Sequence, residues 1–363
     1  MTSHKVYFSN CVSYADPDLD AALKNVLADF NFNGKRVLLK PNWLSWRKDN
    51  DPASVHPRLL IATVRYLRNN GATAIAVREN PGTQDTTAIA GMMGILHELS
   101  EMGVEVMPFQ NYDSVQTPEG CSYHKLELSS DYKNFDILLN LAKAKTHGMM
   151  LVTLAVKNLF GLVRGTDRIA WHFAIGKSYS RFADMLLDLY LTVKPSVNLL
   201  DAVICMEGNG PGNGSPVAGN FLAASADALA LDAAICKNVF RIPFEQIPVM
   251  NCAAQRHLIP ETECIGPLPQ PMSLVLPSIN EDNSPFLKAI PGFLQNILRE
   301  NVLNAPQLDP QRCIGCGLCV KVCPPKSLKL GQGRPVFHLK TCIRCYCCQE
   351  MCPKNAIKVR GRL

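Results

Sequence analysis

No stretch of the chain approaches the roughly 18 consecutive apolar residues that a membrane-crossing helix needs, and the opening from Met1 to Asp20 lacks the apolar core of a secretory leader. We therefore expect a cytoplasmic protein with no membrane span. Aromatic side chains make up only 7% of the sequence and charged ones 19%, against 47% hydrophobic. That balance excludes a disordered chain and describes an ordinary globular one. The 363 residues leave room for a large core or two and a small additional unit. No glycine run follows the dinucleotide fingerprint or the P-loop pattern, so no flavin or nicotinamide signature is visible.

Cysteine breaks this plainness, with fifteen present. Cys11, Cys121, Cys205, Cys236, Cys252 and Cys264 form no spacing motif and read as core or surface thiols. The rest crowd into the tail, where Cys313, Cys316, Cys319 and Cys323-Pro324 are answered by Cys342, Cys345, Cys348 and Cys352-Pro353. Both runs follow C-x2-C-x2-C-x3-C-P, an internal repeat about Gly331. A cubane iron-sulfur cluster needs four thiolates at tetrahedral corners. Three come from one loop before the chain turns away, so the fourth of each run serves the other cluster. This assigns Cys313, Cys316, Cys319 and Cys352 to one 4Fe-4S cluster, and Cys342, Cys345, Cys348 and Cys323 to a second. Structural zinc and disulfides are the alternatives; neither explains why the whole pattern occurs twice with its proline. Cys347 stands outside the pattern as a spare thiol beside Cys348. The two runs resemble the bacterial two-cluster ferredoxins.

The formal net charge of +6 divides unevenly: from Asn301 onward eleven Lys or Arg face two acids, giving the tail +9 and the preceding 300 residues −3. Two oxidised clusters, each about −2 with its thiolates, would leave the tail at about +5. Such surroundings suit an acidic, low-potential electron donor such as a ferredoxin. Nucleic acid is the rival explanation, but no interleaved aromatic platform accompanies the charge, and we expect none bound.

From Lys5 to about Ala142 strands and helices alternate. Strands are expected at Val6–Phe8, Lys35–Lys40, Ala72–Arg78, Val104–Pro108, His124–Leu128 and Phe135–Leu141. Helices are expected from the Asp16-Pro17-Asp18 cap to about Phe30, from Pro57 to Asn70 with Gly71 as its stop, and from about Thr86 to Met102. The fold class is therefore α/β, a largely parallel sheet flanked by helices, with a small C-terminal α+β ferredoxin-like domain. We place the domains at 1–304 and 305–363, with a proline-rich stretch at about 243–285 that would allow two lobes in the first.

In such sheets ligands bind beyond the carboxyl ends of the strands. Polar groups recur there: Lys40 and Asn42, Glu79 and Asn80, then Lys145 and His147. The segment from Leu141 to His172 is the richest, setting Lys143, Lys145, His147, Lys157, Asn158, Arg164, Arg168 and His172 among residues that look buried. A solvated basic helix face is the bland account. A lined pocket is the other: buried lysines without acids are costly, the segment offers only Asp167, and an anionic ligand would supply the missing charge. Phe173 to Val193 should be one amphipathic helix, Asn198–Met206 a core strand, and Asn220–Ala224 another, before a helix from the Asp227 cap to Val239. Between those strands, Glu207 to Gly214 alternates glycine with other residues; it reads equally as a ligand-facing loop around Asn209 or as a plain turn. A short helix is expected around Phe286–Leu298.

Several phrases together resemble the domain-of-unknown-function family 362 (DUF362), whose members often carry a ferredoxin-like tail. They are Lys40-Pro41-Asn42, Glu79-Asn80-Pro81-Gly82, Lys145-Thr146-His147-Gly148, Val156-Lys157-Asn158-Leu159-Phe160-Gly161 and Glu207-Gly208-Asn209-Gly210-Pro211. The resemblance covers roughly residues 1 to 240 plus the tail and implies no established reaction. More distantly, His147, Lys157 and His172 are similar in type and approximate spacing to residues of the lactate racemases that use a nickel-pincer cofactor. That similarity implies a shared scaffold more than a shared cofactor, and we expect no nickel cofactor of that type here.

Three functions remain open. The first is a ferredoxin-coupled oxidoreductase of anaerobic type, passing electrons through two 4Fe-4S clusters to a small anionic metabolite. In it His147 or Lys145 gives a proton, Lys157 with Asn158 stabilises developing negative charge, and Lys40, Asn42, His172 and Asn209 bind substrate. The second is an electron-transfer or cofactor-binding carrier serving a partner enzyme. The third is a non-redox, racemase-like enzyme with structural clusters.

Overall fold

The computed structural model describes residues 3–44, 46, 51–81, 85–175, 178–277 and 305–360. The helix expected at Phe286–Leu298 and the end of the proline-rich stretch lie outside these residues.

The first third alternates as the sequence implies: β1 (His4–Asn10), α1 (Asp16–Leu27), β2 (Arg36–Pro41), α2 (Pro57–Asn69), β3 (Ala74–Glu79), α3 (Thr86–Met92), α4 (Leu96–Glu101) and β4 (Glu105–Pro108). An antiparallel ribbon follows, β5 (Tyr112–Gln116) with β6 (Lys125–Ser129). Then come β7 (Ile137–His147), β8 (Leu151–Thr153), the single turn α5 (Ala155–Asn158), α6 (Gly165–Ile175) and α7 (Tyr179–Val193). The long hairpin β9 (Val197–Asn209) and β10 (Asn213–Ser225), α8 (Ala228–Ala234), α9 (Pro248–Gln255) and β11 (Thr262–Ile265) complete this part. In the tail lie β12 (Ala305–Leu308), α10 (Leu318–Lys321), β13 (Leu328–Gly331), β14 (Arg334–Phe337), α11 (Cys347–Glu350) and β15 (Ile357–Arg360).

The nine strands of the main sheet run in the order β11-β1-β10-β9-β7-β2-β3-β4, with β8 paired to the end of β7. Pairing is parallel except where β10 meets β1 and β9 and where β8 meets β7. Central strands covered on both faces read as continuous apolar runs, and Val37, Leu38 and Leu39 of β2 are fully buried. One face packs against α1, α2 and α3 through residues such as Leu19, Leu60 and Ile89. The other packs against α5, α7 and α8 through Val156, Phe182 and Leu231.

The departures from expectation have local causes. The helix expected at Thr86–Met102 is two helices, because Gly94 takes φ +73° between them. The helix expected at Phe173–Val193 is shared between α6 and α7, so His172 lies inside a helix. At α1 the N-cap is Ala15, and Asp16 pairs instead with Arg58 and Arg65. The strand expected at His124–Leu128 belongs to the side ribbon, not the main sheet; β5 and β11 carried no clear sequence signal. β7 does not stop at Leu141 but runs, wholly buried, to His147. Its lysines looked like a strand end, yet Lys143 and Lys145 find partners inside the protein, as described below. Asn209 to Asn213 is a hairpin turn, with Gly208 opposite Gly214.

Asp227 caps α8, accepting from the amide of Ala230 at 2.8 Å and from the Tyr190 hydroxyl at 2.5 Å. Asp227→Ala should lower unfolding stability by about 1 to 2 kcal/mol, read as a lower urea midpoint with unchanged slope.

Candidate functional site

The carboxyl ends of β2, β3 and β7 open onto one cavity of about 630 Å3. Its walls carry Lys40 and Asn42 after β2, Glu79 and Asn80 after β3, and Lys145 and His147 from the end of β7. From α5 and α6 come Lys157, Asn158, Arg168 and His172. The far wall belongs to the tail, with Leu318, Lys321, Val322, Cys347, Glu350 and Met351. Seven of the eight residues proposed from sequence for substrate and chemistry therefore meet in one place. The exception is Asn209, which stands at a separate hollow between the β9–β10 turn and the tail, where its carbonyl accepts from Gln349 Nε2 at 3.2 Å.

A relay of buried amides holds the floor of this cavity. Lys145 Nζ donates to Asn42 Oδ1 at 2.7 Å, and Asn42 Nδ2 donates to Asn158 Oδ1 at 2.9 Å. Asn158 Nδ2 donates to Asn140 Oδ1 at 2.8 Å, and Asn140 Nδ2 to Asn198 Oδ1 at 2.9 Å. Asn198 ends the series on the carbonyls of Ser225 and Ala226. Every amide thus points the same way, its oxygen toward the lysine. Asn158, expected to touch substrate, is instead committed on both sides of its amide and positions Lys40 and Asn42. Asn140 and Asn198 were not singled out from sequence; each sits in an apolar strand run with no spacing motif to mark it.

Two lysines have carboxylate partners. Lys40 and Glu79 form an ion pair at 2.6 Å with both side chains nearly inaccessible. Gly161 backs onto this pair so closely that a Cβ there would collide with it. Lys143 bonds Asp201 and the Tyr14 hydroxyl, each at 2.9 Å. Lys145 and Lys157 have no carboxylate within ion-pair distance among the described residues. Lys145 bonds only Asn42 Oδ1 and the Ala53 carbonyl, the latter at 2.7 Å. Lys157 Nζ lies over the Phe160 ring, 4.5 Å from its centroid. Burial, and for Lys145 the neighbouring charge of Lys157, pulls their ammonium groups down to about 7 for Lys145 and about 8 for Lys157. Asp232 accepts the amides of Ala155 and Val156 at 2.8 and 3.0 Å, fixing the turn that presents Lys157. Burial raises the Asp232 carboxyl to about 8.

His147 is constrained in a way the sequence did not reveal. Its Nδ1 accepts the backbone amides of Met149 and Met150 at 3.0 and 3.4 Å. Since Nδ1 is an acceptor, the ring keeps its proton on Nε2, which faces Glu350 Oε1 at 3.4 Å. Burial also depresses its basicity. Protonating Nδ1 would oppose two amide donors, so His147 acts as a neutral Nε2–H donor and not as an imidazolium acid. Burial would raise the Glu350 carboxyl, but the hydrogen bond from His147 and the nearby charge of Lys157 act the other way, and the group is held low, at about 2. His172 is pulled down to about 4 by burial, and its Nδ1 has no hydrogen-bond partner among the described residues.

In the tail, Cys313, Cys316, Cys319 and Cys352 line one hollow, so the last cysteine of the second run sits with the first three of the first. Cys348 feels Cys345, Cys342 and Cys323, the complementary set, although Cys319 is also within electrostatic reach. Burial pushes the thiols of Cys319 and Cys348 up; buried thiols ionise only beside strong positive charge, which iron provides. Among the described residues, no three His, Cys, Asp or Glu form a site for a single metal ion.

The chain is similar to a thylakoid-associated protein of Synechocystis sp., at 30% identity over 271 residues, covering 73% of this chain and 83% of that protein. Its structure is similar to that of the lactate racemase apoprotein from Thermoanaerobacterium thermosaccharolyticum, with a TM-score of 0.43 and 14% identity. That likeness spans 66% of this chain and 58% of the other, less than two thirds of its length. A 4Fe-4S dicluster domain matches residues 305–353, and a domain of unknown function, DUF362, matches residues 37–237. The chain therefore belongs to the DUF362 family and carries a 4Fe-4S ferredoxin-type domain at its tail.

Proposed function

We propose that the protein is an oxidoreductase in which the iron-sulfur tail, charged by a low-potential donor such as a ferredoxin, reduces an anionic metabolite held in the cavity. One observation carries the reading: the cysteine-bearing turn of the tail is itself a cavity wall, placing Cys347 and Glu350 opposite Lys145, Lys157 and His147. We assign Cys313, Cys316, Cys319 and Cys352 to one 4Fe-4S cluster and Cys342, Cys345, Cys348 and Cys323 to a second. The division falls at residues 304 and 305, and the setting is the cytoplasm. When bound, the clusters supply electrons one at a time.

The chain's own side chains do the remainder. Reduction of a conjugated double bond takes two electrons and two protons. Lys145, brought to about 7 by burial, is matched to give one proton, and the second comes from solvent as the reduced product leaves. Lys157, with no carboxylate within ion-pair distance among the described residues, stabilises negative charge as it develops. His147 orients the substrate through Nε2–H, and Lys40 and Asn42 form a fixed floor beneath it. His172 offers its unpartnered Nδ1 to a substrate hydroxyl or amine. The walls exclude water from the reacting groups.

Photoreduced, anaerobic protein should recover its oxidised cluster absorbance when a small-molecule metabolite fraction is added. Recovery only in the presence of a second protein would instead make the chain a carrier, and turnover with the clusters held oxidised would make it a non-redox enzyme. Cys345→Ala should remove about half of the cluster absorbance; retention of all of it would refute the assignment.

Anion affinity should follow the two lysines. Burial depresses both, to about 7 for Lys145 and about 8 for Lys157, and a bound anion favours the protonated forms. Binding therefore takes up protons, and affinity is highest below pH about 7 and falls as pH rises through about 8. Calorimetry in buffers of different ionisation enthalpy measures that uptake. Lys157→Met should weaken binding at least ten-fold and flatten the upper limb, with cluster absorbance unchanged.

A further inference from the structure

The cavity is larger and more cationic than a small acid requires. Its volume of about 630 Å3 lies in the range of sites that enclose a drug-sized ligand. Lys145, Lys157, Arg168 and Lys321 line it, and none has a carboxylate within ion-pair distance among the described residues. Lys40 and Lys143, by contrast, are each paired. Against the four stands the carboxylate of Glu350, which lies 3.4 Å from His147 Nε2. A two- or three-carbon monoacid would answer one of these cations and leave Lys145 or Lys157, away from solvent, with no anion against it, which is unfavourable.

The cations do not form a continuous polar surface. Trp43, Leu154, Phe160, Leu318, Val322 and Met351 also line the cavity. Arg168 presents a planar fork suited to a carboxylate or phosphate, whereas the lysines are point charges. Among the described residues, two buried polar atoms of the lining also have no hydrogen-bond partner: the Trp43 indole N–H and His172 Nδ1, on residues 2% and 6% exposed. Buried polar groups are nearly always satisfied, so each marks a position where a ligand atom completes the site.

We propose that the cavity binds an organic polyanion, a drug-sized molecule with an extended apolar body and at least two carboxylate or phosphate groups. This rests on the reading of the cavity as the substrate site and specifies what that substrate is. Lys157 and Arg168 hold one end, Lys145 another, and the apolar walls take the body between. The Trp43 N–H donates to an oxygen of the ligand, and His172 Nδ1 accepts from it. Lys321, on the tail, closes the set, so the tail contributes to binding as well as to electron supply.

The test is binding, independent of turnover. Fluorescence anisotropy on the intact, cluster-loaded protein uses 8-hydroxypyrene-1,3,6-trisulfonate as the probe, with pyrene-1-sulfonate and citrate for comparison. The first combines flat body and several charges, the second has the body with one charge, and the third has charges without the body. The trisulfonate should bind at least ten-fold more tightly than either. Lys157→Met and Arg168→Met should each weaken it at least ten-fold, and Lys321→Met, at an exposed position that the fold does not need, several-fold. Arg334→Gln, on the exposed β13–β14 hairpin, should change nothing.

Citrate binding as tightly as the trisulfonate would show that the apolar walls are not read, and pyrene-1-sulfonate doing so would show that the charges are not; either overturns the proposal. Equal loss in Arg334→Gln and Lys321→Met, with Lys157→Met unaffected, would place the probe on the basic surface and also overturn it. If the probe fails while a metabolite fraction still reoxidises the clusters, the substrate class is wrong and the oxidoreductase reading stands. If the probe binds as expected and no fraction reoxidises them, the reverse holds.

Discussion

The site depends on the cost of keeping two lysines, Lys145 and Lys157, away from water where, among the described residues, no carboxylate stands within ion-pair distance of either. Taking a cation out of water is expensive, and only fixed dipoles or counter-charges reduce that cost. Lys145 is met by aligned amides, Asn42, Asn158, Asn140 and Asn198, each with its oxygen toward the ammonium and the last anchored on backbone carbonyls. Hydrogen bonds in such a series polarise one another in a low-dielectric interior. The relay crosses from the β2 end through α5 and β7 to β9, so the same bonds that solvate the charge also hold four elements in register.

Lys157 has no comparable support. Its turn is held from behind by Asp232, and its ammonium faces aromatic rings and the cavity. The two lysines therefore differ in kind: the Lys145 ammonium is fixed by two hydrogen bonds, while that of Lys157 lies over aromatic rings beside the cavity.

The tail owes its place at this cavity to the β9–β10 hairpin. Asn213 Nδ2 donates to the Ile357 carbonyl at 2.6 Å, and Gln349 Nε2 donates to the carbonyl of Asn209. At Gly148, just past β7, the cysteine-bearing turn packs close: a Cβ there would be in ordinary contact with the Tyr346 ring at 3.4 Å. The glycine-alternating stretch is thus a seat for the tail, and only Pro211 of its turn reaches the cavity. These contacts also bring Glu350 onto His147, joining residues 203 positions apart into one pair.

The sequence by itself determined the sheet-and-helix class and the cysteine tail, because strand alternation and C-x2-C-x2-C-x3-C-P spacing are local patterns that chemistry reads directly. It also named Lys40, Asn42, Lys145, His147, Lys157, Asn158 and His172, since polar residues interrupting apolar strand ends stand out within a short window. Which of them turn toward the cavity and which are committed to other partners was decided only by tertiary structure. Asn158 turned inward because Asn140 and Asn198 lie on neighbouring strands, and His147 lost its acid role to two backbone amides. Glu350 and Arg168 joined because distant segments pack there, and Asn209 left because its turn carries the tail. A residue's type and spacing are written in the chain; the partner that satisfies its hydrogen bonds and charge is set by which elements fold against it.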